Sequence, residues 1–278
     1  MGKIKIVVDS SSDLVAFDKM DFASAPLKII TKDREFIDNE KLDVLDMVNY
    51  LKQYRGKSST SCPNVADWLR AFGDAENIIC ITITGTLSGS YNSASLAAKQ
   101  YMGCNPQKRV FVINSLTAGP EIKLIVEKAS ELALLDFSFE DICKALMAYK
   151  ENTGLLFILQ SMKNLANNGR VNPIVAGIAD LLGIRAIGKA SDKGDLHQLD
   201  KCRGEVNTLN SIIKQLHSLG YKGGKIRIGH CFNDTLATRV KDLIVSEYPK
   251  ADTEIYQIRG LCSFYAEYGG LMIGFEKI

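Results

Sequence analysis

Residues 77–98, NIICITITGTLSGSYNSASLAA, pass in one step from an apolar run through small hydroxyl residues into a helical pattern. Ile78, Ile79, Ile81 and Ile83 form the near-continuous β-branched run expected of a parallel strand covered on both faces, and Gly85 ends it. The turn Thr86-Leu87-Ser88-Gly89-Ser90 follows, and Ser93, Ala94, Leu96, Ala97 and Ala98 then suit a helix whose first amides point back over that turn. Free amides and the positive end of a helix dipole receive phosphate or carboxylate, and glycine lets a ligand approach the backbone. Ser88 and Gly89 are therefore candidate anion contacts. The same residues also suit an ordinary strand-to-helix connection whose hydroxyls only cap the helix.

Working outward, the pattern recurs. Residues 4–8 predict a strand that ends in Asp9-Ser10-Ser11-Ser12-Asp13, a polar cluster at the carboxyl edge of a sheet, facing the same crevice as the Gly85 turn. Residues 25–30 predict a short edge strand, because Pro26 cannot donate to an interior ladder. Asp43 caps a helix with Leu45, Val48, Leu51 and Tyr54 on one face and Gly56 as its terminal glycine. KSSTSCPN, 57–64, is a hydroxyl-rich loop into a helix that has Pro63 in its first turn and Trp68, Leu69 and Phe72 along it. Thr60 and Ser61 serve there as capping residues or as contacts to a ligand. A strand at 109–113, a helix at 119–135, and a helix opened by the Ser138 and Asp141 capping pattern complete an alternation that predicts a parallel sheet with helices on both faces.

Glu151-Asn152-Thr153-Gly154 breaks the last of these helices and sets the expected domain boundary, with domains at 1–153 and 154–278. The second half predicts a strand at 155–159, a short helix at 161–166, the turn Asn167-Asn168-Gly169-Arg170 and an apolar helix from Pro173 to Leu182. Arg170, fixed by a turn, is placed either to reach an anion between the domains or to make a surface salt bridge. Asp192-Lys193-Gly194 signals a hairpin between strands at 184–191 and 195–200. Helices at 203–219 and 233–248 and strands at 225–230, 254–258 and 271–276 then make a mixed sheet. The expected fold is α/β with two domains, a parallel-sheet Rossmann-like N-terminal domain and a mixed-sheet C-terminal domain.

With 278 residues, 46% of them hydrophobic, the chain can bury a core for two domains. Lys and Arg number 34 against 32 Asp and Glu with no basic run, which argues against nucleic acid as a partner. No apolar run reaches a signal peptide or a membrane span, so a cytoplasmic protein without stable membrane insertion is expected. Seven cysteines without a CxxC pair fit reduced, mostly buried thiols, and His230-Cys231 and His197 with Cys202 lack zinc-ligand spacing. Gly183 to Ala190 almost spells a phosphate-binding loop, but alanine stands where the magnesium-binding hydroxyl belongs. Ser88 is one residue out of step with GxSxG and has no histidine base, and Gly85 and Gly89 do not make GxGxxG. No catalytic residue, metal or cofactor is expected.

Taken together, DSSSDL at 9–14, TSCPN at 60–64, ITITGTLSGSYNSA at 81–94 and NNGRV at 167–171 resemble the DegV family, in order and across nearly the whole chain. The resemblance implies a bacterial two-domain protein that binds one long-chain fatty acid, buries the acyl chain, holds the carboxylate with hydroxyls and presents it to a fatty acid kinase. It places the carboxylate ligands on Thr60 and Ser88 and matches Arg170 to the family's GR, with Ser61 and Gly89 beside them. Two segments depart from the family. Its histidine-bearing HxGPG signature is replaced by RGLCSFYAEYGGLMIGFE at 259–276, and Asn114-Ser115 stands where Asp-Ser is usual. The alternative is an enzyme acting on a small phosphorylated or carboxylated metabolite in the same crevice. A long apolar cavity behind Thr60 and Ser88 favours lipid, whereas a polar cleft with paired carboxylates favours the enzyme.

Overall fold

The computed structural model describes residues 3–135, 137–172 and 183–277. In chain order these form β1 Ile4–Asp9, a 3-10 turn Ser10–Ser12, β2 Asp21–Ala25, β3 Lys28–Ile30, β4 Glu35–Ile37, α1 Val44–Gln53, β5 Ser59–Ser61, α2 Val65–Phe72, β6 Asn77–Thr82, α3 Ser90–Cys104, β7 Arg109–Asn114, α4 Pro120–Leu134 and α5 Phe139–Glu151. There follow β8 Thr153–Leu159, α6 Lys163–Asn167, β9 Ile184–Ala190, β10 Leu196–Arg203, α7 Glu205–Ser218, β11 Ile226–His230, α8 Asp234–Glu247, β12 Thr253–Gln257, α9 Gly260–Ala266 and β13 Leu271–Glu276. The apolar helix expected at 173–182 lies outside the described residues.

The first sheet is parallel, in the order β2-β1-β6-β7. Its β-branched run behaves as the pattern predicts. Ile79 and Ile81 pack with Ile6 and Val8 against Ile122, Ile125 and Val126 of α4. Ile78, Cys80 and Val7 face Trp68, Phe72, Ala94 and Ala97 of α2 and α3 on the opposite side. Chain order reverses at β1, so the carboxyl ends of β1 and β6 lie side by side, the place where an open α/β sheet forms its crevice.

The second sheet is mixed, in the order β10-β9-β8-β13-β11-β12; β11 and β12 are parallel and the other described neighbours antiparallel. One face packs on α7 and α8 through Ile158, Ile228 and Ile273. The other, through Leu155, Phe157 and Leu159, faces α1 and α9. A third, antiparallel sheet, β4-β3-β5, joins this layer through Ile29 and Phe36.

Several local expectations need correction. The edge strand expected at 25–30 is two strands in different sheets, with Pro26 between them. The loop expected at 57–64 contains β5, whose three residues are too short to show a period. Asn64, not a residue before Pro63, caps α2, in a reciprocal capping box with Asp67. In α1 the inward face is Met47 and Val48, while Leu45 is exposed, and the helix ends at Gln53 without using Gly56. Leu96 likewise faces outward on α3. Helix α9 was not expected, since Gly260 at its start and the glycines after it read as loop.

The cavity at the crevice

Asp9, at the end of β1, is fully buried and fixes the central turn. Its carboxylate accepts from Ser11, from the Ile83 amide at 3.0 Å and from the Ser90 hydroxyl, so one side chain ties β1, the end of β6 and the first residue of α3. Burial pushes its carboxyl above the usual range, and the bonds from Ser11, Ser90 and Ile83 pull it back. Asn114 performs a similar service from β7, accepting from Gly85 N at 3.0 Å and Leu116 N at 3.3 Å. The turn is closed from the second half of the chain too. Thr86 Oγ1 donates to Lys193 O at 2.6 Å, and Gly194, at φ +80°, has Thr84 Oγ1 2.1 Å from where a Cβ would lie.

Each candidate residue is held by a different element. Ser88 lies just before α3, and its hydroxyl accepts from Ser90 N at 3.3 Å. Gly89 caps α3 without a side-chain bond, and a Cβ there would lie 3.2 Å from Cys62 Sγ, which brings β5 up to the helix start. Thr60 and Ser61 stand on β5 and not at a helix start, with Thr60 opposite Ile29 of β3. Strand pairing suits a β-branched threonine, and it turns the Thr60 hydroxyl to Tyr265 of α9, 2.8 Å away. Arg170 is held by its own turn, its amide on Leu165 O at 2.8 Å. Its guanidinium bridges Asn168 O and, at 3.0 Å, Leu87 O of the central turn.

These residues line one cavity of about 300 Å³, at the small end of the range for ligand pockets. Thr60, Ser61, Ser88, Gly89, Arg170 and Tyr265 supply the polar part of its lining. Ile83, Leu155, Phe157, Leu159, Leu261 and Met272 supply much of the apolar part. Among its described lining residues there is no aspartate, glutamate or histidine. Burial raises the pKa of the Tyr265 hydroxyl, opposed by the bond to Thr60 and by Arg170 nearby. Burial likewise raises the Cys62 thiol, so it is not a poised nucleophile.

A family model described as "Uncharacterised protein, DegV family" matches residues 3–277. The chain belongs to the DegV family. A DegV domain-containing protein of Streptococcus pneumoniae is 40% identical over 276 residues, covering 98% of each chain. A solved DegV family structure from Eubacterium eligens, described as loaded with heptadecanoic acid, has a TM-score of 0.97 at 40% identity, covering 99% of this chain and 100% of that one. The solved Streptococcus pneumoniae Fatty Acid Kinase (Fak) B3 protein, described as loaded with linoleic acid, gives the same TM-score, identity and coverage.

Within this DegV chain, Tyr265 is the cavity residue that sequence reasoning missed. The segment departing from the HxGPG signature draws attention to a missing histidine, whereas the structure puts a tyrosine hydroxyl against Thr60. No local signal marks it. The helix that carries Tyr265 is capped from a distant part of the chain, by Asp38. All seven cysteines are free and five are buried. Among the described residues, no helix is long and apolar enough to cross a membrane.

Proposed function

We propose that this protein binds one long-chain fatty acid, with the acyl chain in the apolar cavity and the carboxylate among Thr60, Ser88, Tyr265 and Arg170, with Ser61 and Gly89 beside them. The observation that carries the reading is the cavity itself: polar at hydroxyls and one guanidinium, apolar elsewhere, and free of carboxylates among its described lining residues. Burying a methylene contributes ~0.8 kcal/mol, so a chain of about fourteen supplies roughly 11 kcal/mol before the costs of binding. Few polar groups are then needed. The hydroxyls orient the head group and the arginine supplies charge, while the described lining residues include no carboxylate or imidazole to act as a general base.

The chain is read as a carrier and not an enzyme, one that works in the cytoplasm and hands its ligand to a fatty acid kinase, in keeping with the pneumococcal relative. Division into domains at 1–153 and 154–278 belongs to the same reading. It puts Thr60, Ser88 and Gly89 on one domain and Arg170 and Tyr265 on the other, so the head group joins the two. Denaturing purified protein, extracting it with organic solvent and weighing the extract by mass spectrometry tests the proposal. Near-stoichiometric fatty acid is expected. An extract without acyl chains, from protein that also takes up no added fatty acid, overturns it in favour of an enzyme on a small carboxylated or phosphorylated metabolite.

A further inference from the structure

Helix α9 supplies Leu261, Cys262, Tyr265 and Ala266 to the cavity lining, yet its first turn is held by two carboxylates from the opposite end of the chain. Asp38, fully buried after β4, accepts from Gly260 N at 2.9 Å and Leu261 N at 2.8 Å. A Cβ on residue 260 would lie 2.7 Å from Asp38 Oδ1, so only glycine permits this approach. Asp13 follows the 3-10 turn in the left-handed region, at φ +61°, and its Oδ1 accepts from Arg259 N at 2.8 Å. Its Oδ2 is buried facing the Cys262 thiol, which donates to Ser11 O at 3.4 Å, and among the described residues it has no partner in good hydrogen-bond geometry.

We propose that Asp13 and Asp38 are positioning residues for the ligand, holding α9 as a cavity wall with Tyr265 on Thr60, and that the proton on Asp13 sets how tightly the head group is held. This rests on the fatty-acid reading above. The groups that face Asp13 are Asp38 after β4, Lys123 of α4, Arg259 and Cys262 at the start of α9, Tyr256 of β12 and Cys231 after β11. Burial pushes the Asp38 carboxyl up, and the Leu261 and Gly260 amides, Ser10 and Arg259 pull it back. With Asp38 ionised and the proton on Asp13, the pair carries one negative charge, which the α9 amides and the Arg259 guanidinium, 3.9 Å from Asp38, offset. With it off, two carboxylates share one helix start directly under the cavity wall. Burial leaves that second charge poorly screened, so it works against the α9 anchorage and against an anionic ligand alike. The Asp13 carboxyl is raised to about 7, by burial first and by Asp38, which puts the change in the neutral range.

The test is equilibrium binding of hexadecanoic acid to delipidated full-length protein between pH 6 and 8.5, for wild type, Asp13→Asn and Asp38→Asn, with melting temperature recorded for each. Wild-type affinity should fall by about three- to tenfold as pH rises through 7. Asp13→Asn should keep the low-pH affinity across the range, and Asp38→Asn should weaken binding at every pH. Wild-type binding with a pH profile that Asp13→Asn leaves unchanged overturns the inference alone, whether or not Asp38→Asn folds. Absence of wild-type binding at every pH overturns the fatty-acid reading and this inference with it.

Discussion

The first and second sheets are joined along two seams of opposite chemistry. At one, α4 lies on the six-stranded sheet with charge against charge. Arg227 of β11 makes a fork to Glu127 at 2.7 and 2.9 Å and also reaches Asp252, Lys123 pairs with Glu254 at 2.7 Å, and Lys225 pairs with Glu131. The backbone comes close as well, since a Cβ on Gly274 would lie 2.5 Å from the Glu121 amide. At the other seam β5 and the central turn meet α6, α9 and β8 through hydroxyls, an arginine turned on carbonyls, and an open apolar cavity. The first seam satisfies its charges internally and fixes the sheets. The second, on the proposed reading, receives its negative charge from the ligand.

Breaking the first seam should have the largest effect. The Arg227 and Glu127 side chains are 7% and 12% exposed, so Arg227→Ala strands a buried carboxylate and should cost about 3–5 kcal/mol of stability. Chemical denaturation measures it, and the folded fraction should bind fatty acid as wild type does. A loss of affinity in step with stability would mean that the two seams are one cooperative unit.

Next in size is the pH dependence carried by Asp13. Its folded-state pKa of about 7 lies above the ordinary 3.8, so its stabilising contribution is complete below pH 3.8 and is lost as pH rises through 7. Wild type should lose on the order of 2–3 kcal/mol between pH 5 and 8 from this group. Asp13→Asn should flatten that slope in denaturation curves taken across the range. An unaltered slope would show that Asp13 titrates normally.

The cavity seam should respond in affinity and little in stability. On the proposed reading Thr60→Ala or Ser88→Ala should each weaken fatty-acid binding by about 1–3 kcal/mol, and the double mutant should depart from additivity if both hydroxyls serve one head group. Arg170→Ala should impair binding or transfer with the fold intact, with Arg170→Lys a partial rescue. If all of these bind like wild type with the same chain-length preference, the carboxylate does not sit there. Smallest of all, Glu254→Gln removes the charge from a side chain that is 43% exposed while leaving Lys123 in place, and should cost under about 1 kcal/mol in the same denaturation assay.

What the sequence made legible follows from the range of the forces involved. The β6 run, the turn and α3 were readable because burial on both faces leaves an unbroken apolar signal and a helix leaves a periodic one. The Asp9 cluster reads at the same crevice for the same reason, although Asp9 ties the turn and is not among the described residues that line the cavity. Thr60, Ser88 and Arg170 were named singly from residue type and together through family resemblance, and the structure brings them to one cavity. From sequence Thr60 reads as part of a helix start, because a three-residue strand has no period. Tyr265 was invisible because α9 begins with glycine and takes its cap from Asp38, 222 residues away.

That distance bears on how the molecule comes into being. Thr60 and Tyr265 are 205 residues apart, and Thr86 and Lys193 are 107 apart, so the polar end of the cavity is made of contacts with very high sequence separation. Loops of that length must close before such contacts return any free energy, so they should form late on the folding route, with φ-values near zero at Thr60 and Tyr265. The polar end of the cavity is therefore complete only once Tyr265 has left the ribosome and α9 has docked. On the proposed reading lipid is then loaded after synthesis, and the small stability change expected from substitutions at Thr60 or Tyr265 should fall on the unfolding rate and leave the folding rate almost untouched.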